Sequence, residues 1–261
     1  MLRHHRCMPF VRASDAGRVR TITLDRPDRL NALGADVLGS LEEIVTSTAS
    51  SDARIVVLNG AGRVFSAGAD LKDTARPAGA WQATRRELGR WHRLLDAIES
   101  LPQVTVASVH GAVIGGAVLL AVACDLRVAA HDAFFQIPEL AIGIPLTWGG
   151  NPRLVREIGV PHARDLVFTG RRVGADEALA WGLVNRVGDD LESATRALVD
   201  ELLAMPEAVL AMTKDAFRAL GRTLVSHEAA WADPDLLGGA RHEPESAEAA
   251  RTYVERTLGS G

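Results

Sequence analysis

Glu139 is a single carboxylate in an apolar stretch, Pro138-Glu139-Leu140, followed by Ile142-Gly143-Ile144-Pro145 and then Gly149-Gly150. An ionisable group in such a setting is costly to bury unless it has a partner or a use, and a proton-transfer base is one such use. Upstream, Gly115-Gly116 directly precedes the apolar run Ala117 to Ala123. A helix starting there leaves backbone N–H groups and the positive end of its dipole at Gly116, a place suited to an oxyanion. A third piece, Phe65-Ser66-Ala67-Gly68-Ala69-Asp70-Leu71-Lys72, follows a buried strand. Gly68 permits a positive φ, which turns the N–H of Ala69 toward a cleft. Two N–H donors aimed at one point form an oxyanion hole, and Glu139 supplies a base. Together they suit proton abstraction beside a carbonyl, with the enolate held by the two donors. Singly, each has a plainer reading: a glycine turn, or a carboxylate serving a helix dipole.

The elements that must position these groups are readable from pattern. Arg18 to Leu24 is a Val/Ile/Thr-rich strand broken by Asp25-Arg26-Pro27-Asp28. Val37, Leu38, Leu41, Ile44 and Val45 have the spacing of an amphipathic helix. Ile55 to Leu58 reads as a strand buried on both faces. A charged stretch from Thr74 to Arg86 precedes a helix marked by Leu88, Trp91, Leu95 and Ile98. Strand Val104 to Val109, helix Gly116 to Ala123 and strand Asp125 to Ala129 repeat the order, so the chain is α/β with mainly parallel strands. Beyond Arg153 the texture is helical: Arg164 to Phe168, Ala175 to Trp181, Leu191 to Met205 and Glu207 to Leu220, with one strand at Leu183 to Val187. The charged tail from His227 to Leu258 is helical and broken at Pro234 and Pro244. The expected division is an α/β core over residues 1–190 and a helical region over 191–261, suited to a lid or to subunit contacts.

Composition narrows the class. The chain has 261 residues, 47% hydrophobic and 24% charged, as expected of a globular protein. A net charge of −4 argues against a nucleic-acid surface. Cys7 and Cys124 form neither a disulfide framework nor a metal-ligand spacing, and His4-His5 reads as part of a basic terminus, so no metal is expected. No run approaches the ~20 apolar residues of a membrane span, and the opening segment lacks a signal-peptide core. A cytoplasmic protein is the expectation.

The order of motifs resembles the crotonase superfamily, the enoyl-CoA hydratase/isomerase family. Arg26-Pro27 with Asn31-Ala32-Leu33 resembles its early Arg-Pro…Asn-Ala-Leu motif. Gly60 to Leu71 resembles its Gly-x-Gly-x-x-Phe-Ser-x-Gly-x-Asp-Leu loop. Gly111, Gly115-Gly116 and Cys124-Asp125, then Phe135 to Leu154, then Thr169-Gly170, Ala178 and Gly182-Leu183-Val184 follow in the family's order. The resemblance implies a ClpP/crotonase-like α/β fold, a core of repeated ββα units with a helical C-terminal region. It implies that the N–H groups of Ala69 and Gly116 hold a thioester oxygen. It places Ala67, Gly68, Ala69, Asp70, Leu71 and Lys72 near the adenine and pantetheine of coenzyme A, with Gly115 beside the thioester and Arg26 toward the nucleotide phosphates. Asp70 and Asp125 read as structural. The implied partner is an acyl-CoA thioester, with coenzyme A part of the substrate and no separate cofactor. The implied assembly is a homotrimer or homohexamer.

One departure separates the reactions open to such a site. Hydratases of the family carry two glutamates, and the first falls twenty residues before the second. That position is Leu119, and neither Val118 nor Leu120 substitutes. Losing an acid/base group typically costs about 10²–10⁴ in rate, so efficient hydration is disfavoured. A double-bond shift needs only one base. Isomerisation of 3-enoyl-CoA to 2-enoyl-CoA with Glu139 as sole acid/base is therefore the leading expectation. Hydration of enoyl-CoA and a non-catalytic acyl-CoA-binding role are the rivals. The dienoyl isomerases use an Asp eight residues past this Glu, and Thr147 stands there. Trp148, where the family often has a small residue, either narrows the acyl pocket or fills core space.

Overall fold

The structure, a computed structural model, describes residues 7–8, 10–70, 81–226 and 230–258. Its main sheet has seven strands in the order β1 (Cys7–Met8), β2 (Val11–Ala16), β3 (Val19–Leu24), β4 (Ile55–Gly60), β5 (Val104–Val109), β7 (Leu126–Ala130) and β10 (Arg186–Gly188). The first two pairings are antiparallel and the remaining four are parallel. A second sheet joins β6 (Ala112–Ile114), β8 (Phe134–Gln136) and β9 (Val173–Gly174).

The apolar run in β4 is buried on both faces because side chains alternate across a strand. Val56 and Leu58 join Ala107, Val109 and Ala129 in the larger core. Helices α1 (Ala35–Ala49), α3 (Arg90–Glu99) and α4 (Gly116–Val122) contribute Val37, Leu41, Ile44, Trp91, Leu95 and Leu120 to that side. Ile55 and Val57 join Val104, Val106 and Val128 on the opposite face. That face is covered by Leu198 and Val199 of α7 (Leu191–Ala204). Helix α7 lies beyond residue 190, so the second face of the sheet is covered by a helix from the C-terminal part of the chain. Ser108 and Thr195 share a hydrogen bond of 2.9 Å across this contact. In α8 (Glu207–Leu224), Lys214 reaches in to Asp125 at 2.7 Å and to the Gln103 carbonyl at 2.7 Å. Val209, Met212, Phe217, Leu220 and Leu224 of the same helix remain exposed.

Several boundaries differ from expectation. The expected strand from Leu183 begins only at Arg186, because Leu183 and Val184 fold back as a turn onto the Ala178 carbonyl. Helix α5 runs from Gly150 to Thr169, where only Arg164 to Phe168 reads as helical. Pro152 sits in the first turn, where no N–H is needed, and Gly159 leaves helical geometry at φ 70° and kinks the run into two helical segments, with Pro161 near the start of the second. Pro234 and Pro244 begin helices rather than break them, opening α9 (Asp233–Ala240) and α10 (Pro244–Leu258). Shorter helices are α2 (Trp81–Leu88) and α6 (Ala175–Ala180). No helix among the described residues is long and apolar enough to cross a membrane.

Candidate active site

The site is assembled from four turns, each fixed by backbone geometry. After β3 the chain makes a short 3-10 turn, and Leu30 and Asn31 adopt left-handed conformations with φ 51° and 54°. Asn31 tolerates that region better than most residues. Its buried amide nitrogen donates to the carbonyls of Ala61 (2.8 Å), Val64 (3.0 Å) and Phe65 (3.1 Å). Its Oδ1 accepts from the N–H of Arg26 at 2.9 Å. The Ser66 hydroxyl donates to the Asn31 carbonyl at 2.8 Å and accepts from the Gly68 N–H at 3.1 Å. These bonds lock the glycine-bearing loop without any regular secondary structure.

The orientation of the Ala69 N–H follows from its neighbours. Ala69 pairs with Leu33 in an isolated parallel bridge. Leu33 N–H donates to the Gly68 carbonyl at 2.8 Å, and Asp70 N–H donates to the Leu33 carbonyl at 3.2 Å. In extended chain, successive amides point to opposite edges, so the Ala69 N–H faces away from Leu33. On the other side Ser66 pairs with Val113, donating to the Ala112 carbonyl at 3.1 Å. Gly68 has φ 84°, and a Cβ there would collide with the Ile114 carbonyl oxygen. The loop therefore presses backbone to backbone on the segment that leads into Gly115-Gly116.

Gly115 has φ 56° and donates to the Gln136 carbonyl at 2.7 Å. Gly116 opens α4, so its N–H has no partner within that helix. Glu139 opens a 3-10 turn, Glu139–Ile142, that closes on left-handed Gly143 at φ 78°. Its carboxylate lies against Gly115: a Cβ on that residue would be 2.6 Å from Oε1. Oε2 is buried and has no hydrogen-bond partner. Burial pushes the carboxyl up to about 7, offset only in part by its own backbone N–H. Such a group is poised to exchange a proton near neutrality.

Trp148 closes the arrangement. Its φ is 60°, an uncommon value for a bulky residue, and its ring overlies Gly116 so closely that a Cβ there would overlap the indole. The ring also stacks on Trp91, with centroids 4.4 Å apart and an interplanar angle of 12°. Leu119 is buried in the apolar core, and its Cδ1 would lie 2.9 Å from a Cβ at Gly150. Val118 and Leu120 are buried as well, so α4 points no carboxylate toward Glu139.

Of the residues singled out in sequence, Gly68 abuts the Ile114-Gly115 backbone, Gly115 abuts Glu139, and Gly116 abuts Trp148, with Ala69 next along the chain from Gly68. The Ala67 N–H is already spent on the Leu30 carbonyl at 2.9 Å. Arg26 pairs with Asp70 at 3.3 Å and lies over the Phe10 ring. Asp125 accepts from the N–H and hydroxyl of Thr105 and pairs with Lys214, a structural set of bonds. Leu71 and Lys72 lie outside the described residues, as do His4 and His5. Among the described residues no cluster of three His, Cys, Asp or Glu side chains converges on a point that would hold a metal. Sequence reasoning missed the buried Arg153. It donates to the Trp148 carbonyl (2.9 Å) and pairs with Asp96 (2.6 Å) and Glu99 (2.9 Å). It missed Asp233, whose Oδ2 accepts from the Gly149 N–H at 2.7 Å. The signal for Arg153 was present: an arginine following Gly-Gly-Asn-Pro where an apolar helix face begins.

Comparison with known proteins identifies the family. Residues 15–258 match the enoyl-CoA hydratase/isomerase family. The mitochondrial Delta(3,5)-Delta(2,4)-dienoyl-CoA isomerase of Pongo abelii is 36% identical over 208 residues, covering 74% of this chain and 63% of that protein. The short-chain-enoyl-CoA hydratase of Clostridium acetobutylicum is 32% identical over 204 residues, covering 77% of each. The crystal structure of an enoyl-CoA hydratase/isomerase from Xanthobacter autotrophicus Py2 superposes with a TM-score of 0.84 at 30% identity, covering 96% of this chain and 94% of that one. With an α/β core of this form and a match over nearly its whole length, the chain belongs to the enoyl-CoA hydratase/isomerase family of the crotonase superfamily.

Proposed function

We propose that this protein isomerises 3-enoyl-CoA to 2-enoyl-CoA, with Glu139 as the only acid/base. The observation that carries the reading is the pairing of a partnerless, buried Glu139 oxygen with an apolar Leu119 at the position where a hydratase would carry its other glutamate. In this mechanism the thioester oxygen accepts hydrogen bonds from the N–H groups of Ala69 and Gly116. The Glu139 carboxylate removes a proton from C2, and the electron pair moves into a dienolate held by the two donors. Each such donor is worth roughly 10²–10³ in rate. The same carboxyl returns the proton at C4, leaving the double bond between C2 and C3. Proton count and charge balance without water, and coenzyme A enters only as part of the substrate. Thr147 in place of the second acid of dienoyl isomerases supports a simple one-base shift.

This reading places the protein in fatty acid metabolism, in the cytoplasm, as a homotrimer or homohexamer. The exposed apolar face of α8, around Met212 and Phe217, supports an assembly. The test supplies 3-enoyl-CoA and 2-enoyl-CoA separately to purified protein. Conversion of the first, lost in Glu139→Gln, is expected. Efficient formation of 3-hydroxyacyl-CoA from the second favours hydration instead, and acyl-CoA binding with neither reaction favours a binding protein.

A further inference from the structure

Trp148 is a bulky residue held in a left-handed backbone conformation, with φ 60° and its ring on Gly116. Such strain persists only where the surroundings over-determine it. Here they do. The buried Arg153 donates to the carbonyls of both Trp148 (2.9 Å) and Gly149 (3.2 Å). Asp233, at the start of α9, accepts from the Gly149 N–H at 2.7 Å. His92 packs against Gly149, its Nδ1 buried without a partner and its Nε2 3.2 Å from Asp96. The next residue closes the turn, Gly150 N–H donating to the Thr147 carbonyl at 3.0 Å. What this clamp delivers is the indole: one edge rests on Gly116, and the ring stacks on Trp91. A glycine in this turn would need no such support, and a tryptophan with a free choice of φ would not sit there.

We propose that Trp148, backed by Trp91 and positioned by Asp233 and Arg153, is a steric stop that restricts this enzyme to short acyl groups. The proposal rests on the acyl-CoA reading of the site but not on which reaction Glu139 performs. An acyl group whose carbonyl oxygen reaches the Gly116 N–H must pass the indole that lies on Gly116, next in sequence to the Gly115 on which the Glu139 carboxylate rests. Trp91 braces the ring from behind, so yielding requires moving a core helix. Asp233 adds a link to the C-terminal helices: α9 supplies the acceptor that fixes the turn.

The test is binding of saturated acyl-CoAs, which needs no proton transfer. Dissociation constants of butyryl-CoA and decanoyl-CoA are measured by calorimetry for the wild-type protein and its variants. The wild type is expected to favour butyryl-CoA by at least about tenfold, the size of discrimination a shaped apolar pocket supplies. Trp148→Gly, which accepts the positive φ without strain, is expected to erase or invert that ratio, and Trp148→Phe to reduce it. Asp233→Ala, which loses the acceptor for Gly149, is expected to relax the ratio part-way. Asp233→Asn, which keeps an oxygen there, is expected to preserve it. Equal wild-type affinity for the two chain lengths, or a ratio unmoved in both Trp148 variants, overturns the proposal. A ratio unmoved in Asp233→Ala removes Asp233 from it. Failure of every acyl-CoA to bind overturns the acyl-CoA reading together with it, whereas intact length selection without isomerisation removes only the assigned reaction.

Discussion

The carboxylate of Glu139 lies on the Cα of Gly115, close enough that a methyl group there would be 2.6 Å from Oε1. Gly115 also has φ 56° and ψ −121°, a region that L side chains avoid. Gly115→Ala therefore carries two penalties, backbone strain and displacement of the base. Strain of this kind costs about 1–3 kcal/mol, and a misplaced catalytic group of about 1 Å costs about 10² in rate. A lowered melting temperature with kcat reduced by about 10² or more is expected. An alanine variant with wild-type kcat would separate Glu139 from the reaction.

Glu139 also sets a pH dependence whose sign follows from its burial. Its carboxyl ionises near 7 in the folded protein against an ordinary value of 4.5. Between those values the folded chain holds a proton that the unfolded chain has released. Stability from this group therefore falls as pH rises through that window, by at most about 3 kcal/mol. Activity runs the other way, because the base must be ionised: kcat/KM is expected to rise through about pH 7 and level above it. Glu139→Gln keeps the shape and removes the charge. It is expected to melt above the wild type in alkaline buffer and alongside it near pH 5, as differential scanning calorimetry at both values would read. Equal melting at both pH values would show that the carboxyl is not desolvated.

Asn31 has every polar atom of its side chain engaged, holding three carbonyls of the glycine loop and the N–H of Arg26. Asn31→Ala strands these groups in a buried place and puts alanine at φ 54°. Each unsatisfied buried group costs about 1–3 kcal/mol, so a large loss of stability is expected. Asn31→Asp keeps the acceptor for Arg26 but loses the donors. It should therefore loosen the Ala69 donor and lower kcat more than it raises KM. A variant that is stable and unimpaired would show that other bonds hold the loop.

The strands and the cradle were legible because their signals are local. Ile55 to Leu58 and Val104 to Val109 are apolar runs of strand length, and a Gly-Gly pair before an apolar helix marks an N-terminus wherever it occurs. Glu139 was legible for the same reason, since its flanks are apolar. Helix α5 was not: only Arg164 to Phe168 stood out, and the rest of the run carries Pro152 and Pro161 and turns out of helical geometry at Gly159 before it resumes. The posture of Trp148 was not legible either. It depends on Asp233, eighty-four residues from the Gly149 it holds, and on an arginine whose own burial requires Asp96 and Glu99. Bonds of that range leave no period in the sequence.

Leu119 offers the most direct way to change the reaction. It is 1% exposed, on the buried helix that starts at the oxyanion donor, with Leu146 also packed against Gly150. Leu119→Glu would supply the acid that addition of water lacks, and water activation with proton delivery would then be shared between two carboxyls. The cost is a second ionisable group in an apolar setting, which destabilises by several kcal/mol when charged and less when protonated. The variant is expected to melt lower than the wild type, with the deficit largest in alkaline buffer. Its hydration of 2-enoyl-CoA should rise by at least about 10², the low end of what an acid/base group contributes. Leu119→Gln is the control, matching the size without the proton, and should leave hydration at the wild-type level. A folded Leu119→Glu protein that hydrates no faster than the glutamine control would show that this position does not face the reacting carbons. The apolar residue there would then no longer be evidence for a one-base reaction.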